Sequence, residues 1–318
     1  MKKTLTLVAM ALALSSNAFA WPDKTITLVV PFPAGGATDA LARTLTPKLQ
    51  EKLKQNVIVD NKAGATGTIG AGFVKRAPAD GYTLLVTSLG PLVIAPYLLA
   101  KVPYEASKDF DYLTVAVQAP NVLVVPASSP YKTMAELIAA EKANPGKLTF
   151  ASAGTGTSDH LSAELFWLQS GTSGLHVPYK GAAPAITDLL GGQVDAAFQN
   201  INNVLPHITA GKLRVLAIAA PKRSPLLPNV PTLTESGVKD ADATSWQGVV
   251  APKGLPPAVK AQIHAALMDA LADPAVKQKF AEVGFEMVAN TPEQFAAYQA
   301  SEAARWKKLI ETRKIAVD

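Results

Sequence analysis

Residues 25–53, TITLVVPFPAGGATDALARTLTPKLQEKL, decide how this chain is read. Thr25–Val30 is an apolar run, and Leu41, Leu45, Leu49 and Leu53 recur every four residues. That pattern predicts a strand, a loop over Pro31–Asp39, and a helix from Asp39 to about Lys54 with Thr38 or Asp39 as its N-cap. Such a junction aims free backbone N–H groups and the positive end of a helix dipole at one point, which suits an anion. The same residues also fit a well-capped turn with nothing bound.

The pattern continues in both directions. Asn56–Asp60 and Thr83–Thr87 read as strands, with a second glycine loop at Ala63–Ala71 opening a short helix between them. Ser88–Pro91 reads as a third loop at a strand end. Strands alternating with helices at this spacing indicate a parallel α/β sheet, whose ligands sit beyond the C-terminal strand ends. Tyr112–Val125 is a long valine-rich extended stretch, broken at Pro120, and is the expected first crossing between two lobes. A second alternating series follows, from a helix at Thr133–Ala143 to a strand at Leu213–Ala219, and the proline-rich Pro221–Pro231 is the expected return. Trp246–Pro252 is a further strand. Three helices, Pro256–Leu271, Pro274–Val283 and Pro292–Arg313, each start at a proline, as the first helical turn allows. The last is rich in Ala, Glu, Lys and Arg and reads mostly as a solvated outer layer.

Ahead of this fold, Lys2 and Lys3, the apolar Leu5–Leu14 and Ala18-Phe19-Ala20 form a three-part secretory signal, predicting cleavage after Ala20 and an exported, periplasmic protein. The 318 residues contain no cysteine, so export brings no disulfide requirement, and the chain is long enough for two cores. Removing Lys2 and Lys3 from 30 basic residues leaves 28 against 25 acidic, a small excess with no Lys/Arg run, which gives nucleic-acid binding no support.

The opening loop has an echo. Thr38-Asp39-Ala40-Leu41-Ala42-Arg43-Thr44-Leu45 aligns with Ser158-Asp159-His160-Leu161-Ser162-Ala163-Glu164-Leu165, and Ala153–Thr157 before it is again a glycine loop after a strand. Ser158 is the expected cap of a helix from Asp159 to about Gln169. Two lobes would then each present a helix N-terminus to a shared cleft. Good caps also converge on these residue types without duplication.

With Gly64–Ala71, Asp80–Leu85, Gly154–Leu161, Val177–Gly181, Asp188–Asp195, Leu205–Ile208 and Trp246–Pro252 added in this order, the chain resembles the periplasmic solute receptors of tripartite tricarboxylate transporters, the Bug family. The resemblance implies a type II, two-lobed periplasmic-binding-protein fold, hinge-closing around a central cleft. It implies lobe one at 21–122 plus 226–318 and lobe two at 123–225. It further implies capture of a small organic carboxylate, a dicarboxylate by preference, and delivery to membrane transporter subunits by a monomer with no cofactor or metal. Matching the family's motifs implies ligand contacts at Phe32, Ala34, Gly35 and Thr38, with Thr66 and Ser88, in lobe one. In lobe two it implies Thr155, Gly156, Thr157, Ser158, His160 and Tyr179. Arg43 is the only cation in Pro31–Leu45 and Ala151–Leu165 has none, so N–H groups, hydroxyls and helix dipoles would neutralise the carboxylate. Many relatives have Phe-Asp-Asn where this chain has Phe198-Gln199-Asn200. If Gln199 faces the cleft, its amide donors suit a second carboxylate.

Two rivals remain. A periplasmic sensor feeding a membrane signalling partner would use the same fold. A hydrolase has less support, because Ser158, Asp159 and His160 are sequence neighbours whose side chains diverge on a helical turn, and no Gly-x-Ser-x-Gly elbow occurs. The four histidines have no metal-ligand spacing. Phe166, Trp167 and Trp246 read as core.

Overall fold

The computed structural model describes residues 21–316; the expected leader and its cleavage site lie outside the described residues. The chain begins β1 (Ile26–Val30), α1 (Ala37–Leu53), β2 (Val57–Asn61), α2 (Thr68–Lys75), β3 (Thr83–Ser88) and β4 (Phe110–Pro126). It continues α3 (Met134–Ala143), β5 (Thr149–Ser152), α4 (Ser158–Ser170), β6 (Leu175–Pro178), α5 (Ala182–Leu190), β7 (Ala196–Asn200), α6 (Ile201–Thr209) and β8 (Leu213–Ala219). It closes with β9 (Thr244–Pro252), α7 (Pro257–Ala272), α8 (Pro274–Glu282), β10 (Glu286–Met287) and α9 (Pro292–Arg313).

The strands follow the order β2-β1-β3-β9-β4-β7-β5-β6, with β8 and β10 also on β4. In one lobe β1 lies parallel between β2 and β3, and β9 joins β3 antiparallel. In the other, β5 lies parallel between β6 and β7. The two lobes share β4, which spans about 55 Å at 3.3 Å per residue. Its Phe110–Pro120 part pairs with β9, and its Asn121–Pro126 part pairs with β7 and β8. The expected break at Pro120 does not occur. Pro120 sits where the strand changes partners, so its missing N–H costs no ladder bond. The chain returns through 220–243, where the Ala243 N–H donates to Ala219 O at 2.9 Å and the Asn121 N–H donates to Ala243 O at 3.3 Å.

Packing follows the sequence periods. Leu41, Leu45 and Leu49 form the buried stripe of α1, and Leu161, Leu165, Phe166 and Trp167 that of α4. The last helix is less solvated than its composition suggests: Phe295, Trp306, Leu309 and Ile310 are buried, each contributing on the order of 2 kcal/mol. It leaves the core of lobe one and reaches α4, where the Arg313 guanidinium meets Glu164. The third expected loop is no loop. Ser88 ends β3, and the chain turns at once into a π-helical turn, Gly90–Ile94, and a short helix, Ala95–Leu98.

Candidate functional site

Lobe one presents the C-terminal ends of β1 and β3. The N-cap of α1 is Gly36, two residues before Thr38 and three before Asp39, the expected caps, and no side chain caps it. Thr38 and Asp39 lie inside the first turn because Asp39 is drawn into the loop beneath. Its carboxylate accepts from the Gly35 N–H (2.9 Å), Arg43 Nε (2.9 Å) and Asn61 Nδ2 (3.0 Å). Burial pushes the Asp39 carboxyl up, but the bonds from Arg43, Gly35 and Asn61 outweigh it and hold the pKa below the usual range. Asn61 also donates to Phe32 O at 3.1 Å. Arg43 is therefore committed to the loop, and so is the Gly35 N–H. The first free N–H groups of α1 keep the dipole's positive end open.

The second glycine loop packs against the first. Ala65 and Thr66 have φ of 46° and 54°, strained values for residues with a Cβ, above all a β-branched one. Gly67 has φ 85°, and a Cβ there would lie 2.6 Å from Pro91 Cγ and 3.3 Å from the Phe32 ring. Only glycine lets Phe32, Thr66 and Pro91 converge this closely. Ala34 is exposed, and Phe32, Thr66 and Ser88 are half-buried.

Lobe two presents the ends of β5 and β7. Thr157, not Ser158, is the N-cap of α4, its Oγ1 accepting from the His160 N–H at 3.5 Å and donating to Gly154 O at 2.7 Å. The Gly156 N–H donates to His160 Nδ1 (3.1 Å), and the Ala153 N–H donates to Asp159 Oδ2 (2.7 Å). Burial raises the pKa of Asp159 against the bonds from Ala153, its own N–H and Thr157. His160 is 3% exposed and stacks on His176, ring centroids 3.8 Å apart and 18° from parallel. His176 Nε2 lies 2.6 Å from Ser152 Oγ, and burial, then His160, lowers its pKa to about 4. Ser158 Oγ accepts from Asn200 Nδ2 at 3.4 Å, and Asn200 also donates to Asn121 at the lobe crossing. Tyr179 donates its hydroxyl to Asp188 Oδ2 at 2.7 Å, which raises its pKa to about 12. Gln199, 1% exposed, donates from Nε2 to Asp159 Oδ2 at 3.3 Å.

The jaws meet. Gly156 (φ 78°) packs so closely on Leu98 that a Cβ would collide with Leu98 Cδ2, and Ile94 Cγ2 would lie 3.5 Å away. The sequence-derived residues thus fall into two groups. Thr38, Thr66, Ser88 and Thr155 carry hydroxyls with no hydrogen bond to any described residue, whereas Thr157, Ser158, His160 and Tyr179 are tied into their own lobe. Sequence reasoning missed Asn61, Asn121, Ser152 and His176, which hold the loops, and Leu98, which seals them. Asn61 at a parallel strand's C-terminal end carried a positional signal; the others carried none. Among the described residues no group of three or more His, Asp or Glu could hold a metal.

A family model described as "Tripartite tricarboxylate transporter family receptor" matches residues 41–315. The chain belongs to this receptor family. The protein BugT of Bordetella pertussis is 40% identical over 295 residues, covering 92% of this chain and 90% of its own. Among solved structures, an R. palustris protein with adipate is 35% identical with a TM-score of 0.87, covering 93% of this chain and 99% of its own. MatC of Rhodopseudomonas palustris with bound malate is 32% identical with a TM-score of 0.83, covering 91% and 100%. As a tripartite tricarboxylate transporter receptor, the chain has the two-lobed periplasmic-binding-protein fold, and the family's place is the periplasm. Among the described residues no helix is long and apolar enough to cross a membrane.

Proposed function

We propose that this receptor closes on a small dicarboxylate and delivers it to a membrane transporter, acting as a monomeric binding protein and not as an enzyme. One lobe is 21–122 with 226–318 and the other 123–225, and the mature chain starts after Ala20. The carrying observation is the pair of facing jaws: the open N-terminus of α1 with Thr38, Thr66 and Ser88 on one side, Thr155 on the other, and Gly156 against Leu98 between them. Hydroxyls, N–H groups and a helix dipole stabilise a carboxylate without a cation. Arg43 is held by Asp39 and Asn61, so it serves the loop's shape. Relatives solved with adipate and malate support the ligand class.

Closure requires a ligand that touches both lobes, since a ligand with equal contact to the open and closed states shifts nothing. A thermal-shift screen against C4 to C6 dicarboxylates tests the reading. A ligand at 100 times its Kd adds about 2.7 kcal/mol, a rise of a few degrees in Tm. A shift with neutral sugars or amines and none with any dicarboxylate would overturn it.

A further inference from the structure

We propose that the solute is a dicarboxylate bearing a hydroxyl on its carbon chain, and that the Gln199 side-chain carbonyl accepts the hydrogen bond from that hydroxyl. This inference rests on the receptor reading above and narrows its ligand.

Gln199 lies at the C-terminal end of β7, the edge of lobe two that also carries Ala153–Thr157 and the start of α4. The sequence alone suggests that its amide donors would meet a ligand carboxylate. The geometry reverses this. Nε2 is taken by Asp159 Oδ2 at 3.3 Å, and Oε1 is buried with no hydrogen-bond partner among the described residues. The short 2.7 Å bond from the Ala153 N–H marks Oδ2 as an acceptor oxygen. Turning the amide over would set two acceptor oxygens against each other, so the carbonyl is the half left free. The neighbouring Asn200 likewise spends its amide nitrogen inside the lobe, donating to Asn121 Oδ1 and Ser158 Oγ. Two residues further on, Asn202 donates to Asn203 Oδ1 at 3.0 Å, and its own Oδ1 is buried with no partner among the described residues. This junction therefore offers acceptors.

A buried acceptor without a donor is unfavourable, and a carboxylate facing it adds more acceptors. A hydroxyl supplies the missing donor. An ammonium would also donate, but it would need a counter-charge: Asp39 is already paired with Arg43, and burial pushes the Asp159 carboxyl toward its neutral form. A neutral donor is the better match. Relatives are solved with a dicarboxylate that has a hydroxyl, malate, and one that has none, adipate, so family membership leaves the choice to this chain's own residues.

The test is calorimetric titration of the full mature chain with L-malate, succinate, 2-methoxysuccinate and L-aspartate. Malate should bind at least about tenfold more tightly than succinate, the worth of one buried hydrogen bond. The methyl ether keeps the oxygen but cannot donate, and should bind no better than succinate. In Gln199→Met the malate preference should fall to within about twofold while succinate binding persists. The ligand series keeps the inference testable even if that variant fails to fold. Equal binding of malate and succinate, or a preference for aspartate over malate, overturns the inference and leaves the receptor reading standing. Binding of none of these and of no other dicarboxylate overturns both.

Discussion

Arg313, in the last turn of the C-terminal helix of lobe one, sets its Nε 2.6 Å from Oε2 of Glu164, which lies on the helix that carries the jaw of lobe two. Oε1 of the same glutamate lies 3.6 Å from His160 Nε2, and His160 holds the Gly156 N–H through Nδ1. A chain of side chains thus links one lobe's outer helix to the other lobe's glycine loop. Burial pushes the Glu164 carboxyl up, and His160 and Arg313 outweigh it and lower the pKa.

Breaking this link should loosen the contact between the two helices. Arg313→Ala leaves a largely buried carboxylate short of its partner and should cost about 1–2 kcal/mol. A double-mutant cycle with Glu164→Gln should show coupling above about 0.5 kcal/mol. Because the folded pKa of Glu164 is depressed, the stabilisation is present above the unfolded glutamate value and is lost as pH falls through the folded one. Urea midpoints at pH 7 and at acid pH, in wild type and Arg313→Ala, read both effects; a cycle that sums to zero would remove the link.

His176 should impose a second pH dependence. Its pKa of about 4 in the fold lies below the unfolded value near 6.5. Between those values the unfolded chain binds the proton more readily, so stability falls as pH drops from about 6.5 to 4. The loss should reach about 2–3 kcal/mol. In His176→Gln the slope over that window should flatten while the more acidic phase remains.

Gly156 tests the meeting of the jaws. Gly156→Ala places a Cβ on Leu98 at a φ of 78°, adding roughly 1–2 kcal/mol of backbone strain to a steric clash across the lobes. Ligand affinity should fall at least about tenfold while far-UV circular dichroism stays unchanged. Gly146, also at positive φ (70°) but open to space, is the control: Gly146→Ala should cost stability alone.

The division between free and committed hydroxyls predicts opposite phenotypes. Thr38→Val, Ser88→Ala and Thr155→Val should each weaken ligand binding about three- to tenfold with little change in Tm. Tyr179→Phe, which removes the 2.7 Å bond to Asp188, should instead lower stability by about 1 kcal/mol and leave affinity near wild type. Isothermal titration and thermal denaturation on the same samples separate the two.

The alternation of strands and helices, the leucine stripe of α1 and the prolines opening the last helices were legible in the sequence, because they follow from local periods of two and four residues and from backbone chemistry. So was the echo of Thr38–Leu45 in Ser158–Leu165, each of which opens a helix after a glycine loop. Local rules misplaced the caps by one to three residues, since Gly36 and Thr157 take that role once Asp39 and Asp159 turn into their own loops. They also broke a strand at Pro120 that continues because its hydrogen-bond partners change there. The sequence by itself determined which residue types line the jaws; the tertiary structure alone decided which of their atoms are free. Arg43, His160, Tyr179 and the amide nitrogen of Gln199 are engaged by residues 4 to 40 positions away. A hydrogen-bonding group can serve a ligand only with the valence its neighbours leave, and those neighbours are set by packing across the chain and not by adjacency along it.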